Sequence, residues 1–374
     1  MAGNTKLFDK IKDMNVIKTN LHESVTVTGS IISGTYAAPS AGGDTSNAKN
    51  YTHGMFQSVY DYPFNSSSAN HLFDVTVGYS ANSSLYGSTS ADNQVKKVNI
   101  YNQMAQVLVG FDEVGTVRRF DNDGDFTGGA KTDEAVFLNF SRLLHKDAIK
   151  KGSFSLELGV SASDGGYAAP FPDRITIKDV NGTSSYLSNS PVGDYGILYA
   201  SNSSGTPLDG YTTSTAAPCG LLYYQAGVAM LSSSMFLVKA SGGLMSASVF
   251  LDSGSVITGR NASQTLVSSS ISGTADGMRH RIYNLAFNNT TVLNSTVYTC
   301  HINSREFNYS SNPTYLSGSK IRVKGEDPSN LPRTFITAVG LYNAANQLLA
   351  LAKLSEVIQN SPEQDIIIKV RLDY

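Results

Sequence analysis

The apolar residues of this chain recur with a period of two, in short runs cut off by clusters of Gly, Ser and Asn. A strand sends successive side chains to opposite faces, whereas a helix brings them round about every 3.6 residues, so the pattern commits most of the chain to half-buried strands. It reads from Val25 to Ile32, Phe73 to Tyr79, Phe154 to Val160, Arg174 to Val180, Gly196 to Tyr199 and Val292 to Ile302. Leu221 to Leu231 is apolar almost throughout and reads as a buried strand or strand pair. It is far shorter than the roughly 20 residues a membrane-spanning helix needs. A parallel sheet requires helices between its strands, and few are on offer. The expectation is therefore an all-β chain of several antiparallel, β-sandwich-like domains with long loops.

Helical spacing is confined to three places. Thr5 to Asn15 predicts a short N-terminal helix, with Leu7, Phe8, Ile11 and Met14 on one stripe. No core helix follows it, so this stripe either packs on its own domain or serves as a docking element. Gln103 to Val109 and Phe137 to His145 are weaker helical candidates.

The C-terminal stretch is the most readable. Thr334 to Tyr342 and Gln347 to Ser355 read as strands around a turn at Asn343 to Asn346, and Asn tolerates the left-handed backbone of tight turns. Ser361 and Pro362 break the second strand. From Asp365 to Asp373, Ile366, Ile368, Val370 and Leu372 fall on one face, with Lys369, Arg371 and Asp373 on the other. A three-stranded meander with an apolar face to cover is expected. Long loops fall at 37–50, 80–93, 161–172, 201–218 and 241–272, and loops of that length often carry contacts. These shifts divide the chain into an arm at 1–20, a first β domain at 21–160, a loop-rich β insertion at 161–280 and a C-terminal β domain at 281–374.

Composition narrows the function classes. Lys and Arg number 28 against 30 Asp and Glu, a net charge of −2, which excludes a globally basic nucleic-acid binder. Charged residues make up 16%, well below the roughly 25% of ordinary soluble domains. With 20 Tyr and 16 Phe the chain can still build a core, so its surface is covered largely by hydroxyls and amides. Such a surface is poorly kept apart by self-repulsion and suits an assembly. Met1 to Asn20 lacks the apolar core of a signal peptide, so the expectation is synthesis in a cytosol. The sequons at Asn65, Asn82, Asn181, Asn202, Asn261, Asn294 and Asn308 are accordingly expected to stay bare.

Chemistry is sparse. Gly-x-Ser-x-Gly does not occur, and neither does a phosphate-binding glycine loop. Cys219 and Cys300 are far apart and read as free thiols. His22, His53, His71, His145, His280 and His301 are scattered without metal-ligand spacing. The basic groups are Arg118-Arg119, Arg279 to Arg281, and Lys320 with Arg322 and Lys324. Arg279 to Arg281 reads either as a solvated strand face or as a patch for an acidic partner. One acidic constellation stands out, Asp121, Asp123 and Asp125, with Asp133 and Glu134 downstream. Carboxylates at alternate positions can converge on a hard divalent cation, as in calcium loops. Phe126 then stands where such loops place Gly, and Thr132 where they place Glu, so an acidic hairpin turn after a strand at Thr116 to Phe120 is the competing reading. No other cofactor is expected.

The segment Thr337-Ala-Val-Gly-Leu-Tyr-Asn343, followed by Leu348-Leu-Ala-Leu-Ala-Lys353, resembles a hairpin that recurs in bacteriophage tail-fibre and baseplate proteins. Glu306-Phe-Asn-Tyr-Ser-Ser-Asn-Pro-Thr-Tyr315 and Gln57-Ser-Val-Tyr-Asp-Tyr-Pro-Phe64, with 66–74 after it, are similar to segments of virion structural proteins of T4-like myoviruses, including those of cyanobacterial hosts. The resemblance implies a non-enzymatic virion component present in several copies, a baseplate wedge subunit first and a neck, collar or head-decoration protein or a tail-fibre receptor-binding module next. Its partners would be other tail, baseplate or neck proteins and copies of itself, with neither nucleic acid nor membrane. The expected contact residues are Leu7, Phe8, Ile11, Met14, Tyr309, Tyr315, Ile366 and Ile368, with Tyr side chains as anchors.

Overall fold

A computed structural model describes residues 13–28, 47–87, 91–126, 128, 129, 131–161, 173–202, 218–238, 243–245, 250–252, 255–257, 269–309, 316, 317, 320, 321 and 331–373. Among them are two α-helices, α1 (Ala91–Leu108) and α2 (Ile271–Arg281). Strands make up most of the rest. In chain order they begin β1 (Met14–Thr28), β2 (Ala48–Asn50), β3 (Gln57–Tyr60), β4 (His71–Tyr79), β5 (Phe120–Asp121), β6 (Lys131–Thr132), β7 (Glu134–Asn139) and β8 (Ala148–Ile149). They continue as β9 (Ser155–Gly159), β10 (Arg174–Lys178), β11 (Leu187–Ser190), β12 (Gly193–Asn202), β13 (Pro218–Tyr223), β14 (Val228–Ser232), β15 (Phe250–Asp252) and β16 (Ser255–Ile257). The last are β17 (Ile282–Ile302), β18 (Leu316–Ser317), β19 (Lys320–Ile321), β20 (Thr334–Tyr342), β21 (Leu348–Asn360) and β22 (Ile366–Asp373). The fold is all-β, as the alternation implies.

The chain divides into two compact units, one formed by Met1–Leu21 with Val292–Tyr374 and the other by His22–Thr291. In the second unit the start of β17 pairs with β9, and the sheet continues antiparallel through β10, β12, β13, β14, β7, β4, β3 and β2. Because β14 (228–232) pairs with β7 (134–139), the boundary expected near residue 160 does not exist: 21–160 and 161–280 contribute to one sheet. Ala135 to Leu138 are all fully buried, since β7 lies between β4 and β14. That continuous apolar run corrects the helix expected at Phe137 to His145, which is strand followed by one 3-10 turn at Ser141–Leu143. The expected strand at Thr116 to Phe120 shrinks to the two residues of β5.

Helices α1 and α2 both pack on β4. The inner face of α1 carries Ile100, Tyr101, Ala105 and Leu108. Its closest approach is at Gly78, where a methyl group would stand 2.7 Å from both the Lys97 carbonyl and the Tyr101 amide. Helix α2 starts at Ser270, whose hydroxyl accepts a bond from Gly273 N at 3.1 Å and so caps the first turn. Tyr79, Tyr101, Tyr195, Tyr223 and Tyr224 are fully buried, so these tyrosines build the core.

In the first unit, β17 from Val292 onward pairs with β22, from Ser295 opposite Asp373 to Ile302 opposite Ile366. β1 flanks β17, and Thr299 N donates to Asp13 O at 2.8 Å. β20 and β21 form a hairpin. The expected three-stranded meander is thus corrected: β22 joins β17, and the hairpin stands as its own two-stranded sheet. Ile302, Ile366, Ile368 and Val370 meet Leu341, Ile336, Val339, Ala350 and Ala352 in one apolar cluster, a small two-layer sandwich. Met14 and Asn15, expected in the last turn of a helix, belong to β1, while Leu7, Phe8 and Ile11 lie outside the described residues.

Candidate functional site

The hairpin of the first unit has an unusual outer surface. Asn343 closes its turn, its Oδ1 accepting from Ala345 N at 3.0 Å and Gln347 N at 2.8 Å, while Asn346 takes the left-handed backbone at φ 58°. Along β21 the side chains alternate, so Ala350 and Ala352 turn into the apolar cluster and Leu349 and Leu351 turn outward. Leu349 is 67% exposed and Leu351 58%, with Tyr342 and Leu348 also exposed beside them. Phe335 and Val357 lie exposed further along the same hairpin. On a soluble domain, contiguous exposed apolar side chains of this size mark a contact surface.

The expected contact residues fare differently. Tyr309 is exposed, and Tyr315 lies outside the described residues. Ile366 and Ile368 are buried in the sandwich, so they hold the unit together and cannot meet a neighbour; the outward side chain between them is Ile367, 56% exposed. An amphipathic strand turns its apolar face inward, which is why the face chosen from the sequence is the wrong one. The exposed hairpin leucines are not among the expected contact residues, although a strand with apolar residues on both faces signals them in the sequence.

In the other unit, β5 and β6 enclose the acidic turn. One oxygen from each of Asp121, Asp123 and Asp125 lies within 4.8 Å of the others. Asp121 is fully buried; its Oδ2 takes an ion pair from Lys131, and its Oδ1 is buried with no hydrogen-bond partner. Asp133 and Glu134 stay out of the group. Arg119 Nη1 donates to both carboxylate oxygens of Asp133, at 3.0 and 3.1 Å, and Glu134 accepts from Ser83 Oγ at 2.6 Å and Ser233 Oγ at 2.9 Å. Gly124 O accepts from Tyr195 Oη at 2.6 Å, which fastens the turn from beneath. Asp125, Phe126 and Lys131 open onto a polar cleft of about 680 Å³ with Asp112, Glu113 and Arg118.

Several other ionisable groups are held by bonds within the fold. Ser58 Oγ and His71 Nε2 both bond to Asp74 Oδ1, at 2.5 and 2.7 Å. Nucleophilic catalysis needs the imidazole between hydroxyl and carboxylate, so these three do not form a triad. Arg279 and Arg281 are fully buried. Arg279 donates to Asn47 Oδ1 at 2.9 Å, and Arg281 donates to Gly159 O and Ser161 O at 2.9 and 3.1 Å. Neither the solvated strand face nor the patch for an acidic partner expected there exists. Arg118 stacks over Phe126, and Arg322 and Lys324 lie outside the described residues. Neither cysteine forms a disulfide; Cys219 is buried, and burial pushes its thiol up to about 12. The described histidines bring no second metal group together. Among the described residues no helix is long and apolar enough to cross a membrane.

No protein-family model, curated protein or solved structure matches this chain.

Proposed function

We propose that the chain is a non-enzymatic structural component of a tailed-bacteriophage virion, a baseplate wedge subunit that holds neighbouring tail proteins and further copies of itself. The observation that carries this reading is the outward apolar surface of the β20–β21 hairpin, formed by Tyr342, Leu348, Leu349 and Leu351. It lies within the segment whose sequence resembles the hairpin of phage tail-fibre and baseplate proteins. Fully burying a leucine is worth about 1.5–3 kcal/mol over leaving it in water, so covering three half-exposed leucines and a tyrosine supplies several kcal/mol of association energy. The low charge of the chain agrees with a surface that ends inside an assembly.

The test is immunogold labelling of the particles made by the phage that encodes the chain, with antibody against this protein. Label at the base of the tail supports the reading. Label at the neck or head moves the protein within the virion, and purified particles free of it overturn the reading altogether.

A further inference from the structure

We propose that the turn between β5 and β6 binds a hard divalent cation of calcium's size through Asp121, Asp123 and Asp125. An acidic turn alone has an ordinary explanation, since exposed carboxylates are content in water. Asp121 is not in water. It is fully buried, and its Oδ1 has no hydrogen-bond partner, a costly condition for an ionised oxygen unless a cation meets it. Lys131 neutralises one charge and engages the other oxygen, Oδ2. The ammonium of Lys131 thus leaves Oδ1 of Asp121 unmet, with carboxylate oxygens of Asp123 and Asp125 inside the same 4.8 Å group.

The free oxygen points into the group. A side chain at residue 129 would begin 3.2 Å from Asp121 Oδ1 and 3.5 Å from Asp123 Oδ2, so both oxygens line a space that stays open because residue 129 is glycine, at φ 63°. Opposed ligands on one calcium ion stand about 4.6–5.2 Å apart, twice the usual calcium–oxygen distance, so three oxygens within 4.8 Å can close on it with little movement. Phe126 stands at the sixth position of the turn, where calcium loops place glycine, and it adopts the left-handed backbone that glycine would supply, φ 64°. Thr132, at the twelfth, is buried and bonded to Asn122 and gives no carboxylate, so backbone carbonyls and water complete the shell. Calcium accepts such a mixed shell more readily than magnesium, which demands near-ideal octahedral geometry.

Terbium luminescence tests this on the full chain. Terbium replaces calcium at oxygen sites and is sensitised by nearby tyrosine; Tyr195 bonds to the turn itself, in a chain without tryptophan. The expected result is saturable emission from one ion per chain, displaced by calcium with a Kd below about 1 mM and by magnesium only at much higher concentration. Asp123→Asn and Asp125→Asn should each weaken binding at least about tenfold, while Glu113→Gln, on the same cleft, leaves it unchanged. Both variants should match the native far-ultraviolet circular dichroism in chelator, and calcium should raise the melting temperature of the native chain. Absence of saturable emission, equal displacement by magnesium, native-like binding by folded Asp123→Asn, or a melting temperature indifferent to calcium each overturns the proposal.

Discussion

Replacing Asp179 by Asn tests whether burial or hydrogen bonding governs a buried carboxylate of the larger unit. Asp179 is 1% exposed. Its Oδ2 accepts from Gly152 N at 2.6 Å and Tyr224 Oη at 3.1 Å, and its Oδ1 accepts from Phe154 N at 3.0 Å. Those donors favour the ionised form, but burial outweighs them and raises the carboxyl from 3.8 to about 6. Below 3.8 the group is protonated whether the chain is folded or not, so no folding energy is lost. As the pH rises from 3.8 to about 6 the unfolded chain ionises this group while the folded chain keeps it protonated, so stability falls, and above about 6 it levels off. At about 1.4 kcal/mol per pH unit, the loss between about pH 4 and pH 7.5 comes to about 2–3 kcal/mol. Asn keeps one acceptor but turns an NH2 group toward a backbone donor, which costs about 1–3 kcal/mol at every pH. The native chain should therefore be the more stable near pH 4, and the two should converge or cross near pH 7.5. Urea unfolding followed by circular dichroism at a series of pH values measures the difference, and other carboxylates cancel between the two proteins. A difference that stays constant or widens with pH would refute the reasoning, because hydrogen bonding would then outweigh burial.

Three further outcomes follow from packing. Gly78→Ala sets a methyl group 2.7 Å from the backbone of α1, where no flexible side chain can yield, and should cost about 1–3 kcal/mol in urea unfolding; a loss under about 0.5 kcal/mol contradicts the close helix–strand contact. Leu349→Ser with Leu351→Ser should leave unfolding of the chain within about 0.5 kcal/mol of native while reducing its self-association in sedimentation, since both side chains face outward. In the folded chain a thiol reagent should label half-buried Cys300 and spare Cys219, and both should react in urea; rapid native labelling of Cys219 contradicts its burial.

Strand positions were legible because alternation is a local property; the structure keeps it from Ile366 to Leu372, whereas Val75 to Tyr79 are buried on both faces of β4. Helices were less so. Val95 and Val107 lie exposed on the outer side of α1, which blurs the stripe and leaves only its second half visible. Helix α2 carries Gly273 and Gly277, poor helix formers, and is held by the cap at Ser270 and by packing on β3 and β4. Partner choice was not legible at all. The period of β22 says which residues share a face, but it does not say that β17 rather than β21 supplies the neighbouring strand.

The same ambiguity governs the site. A period of two separates a strand into two faces and carries no sign, so Ile366 and Ile368 could be read as a contact face although they close the sandwich. The sign comes from the second face. In β22 the opposite side carries Lys369 and Arg371 beside Ile367, and water accepts the two charges, so Ile366 and Ile368 are free to go inside. In β21 the inward side is already filled by Ala350 and Ala352, and Leu349 and Leu351, which alternate with them, have nowhere to go but out. Small residues inside and large ones outside invert the order a free-standing domain needs, because the larger apolar surface is left in water. With only 16% charged residues to keep copies apart, an isolated chain should associate through this hairpin first.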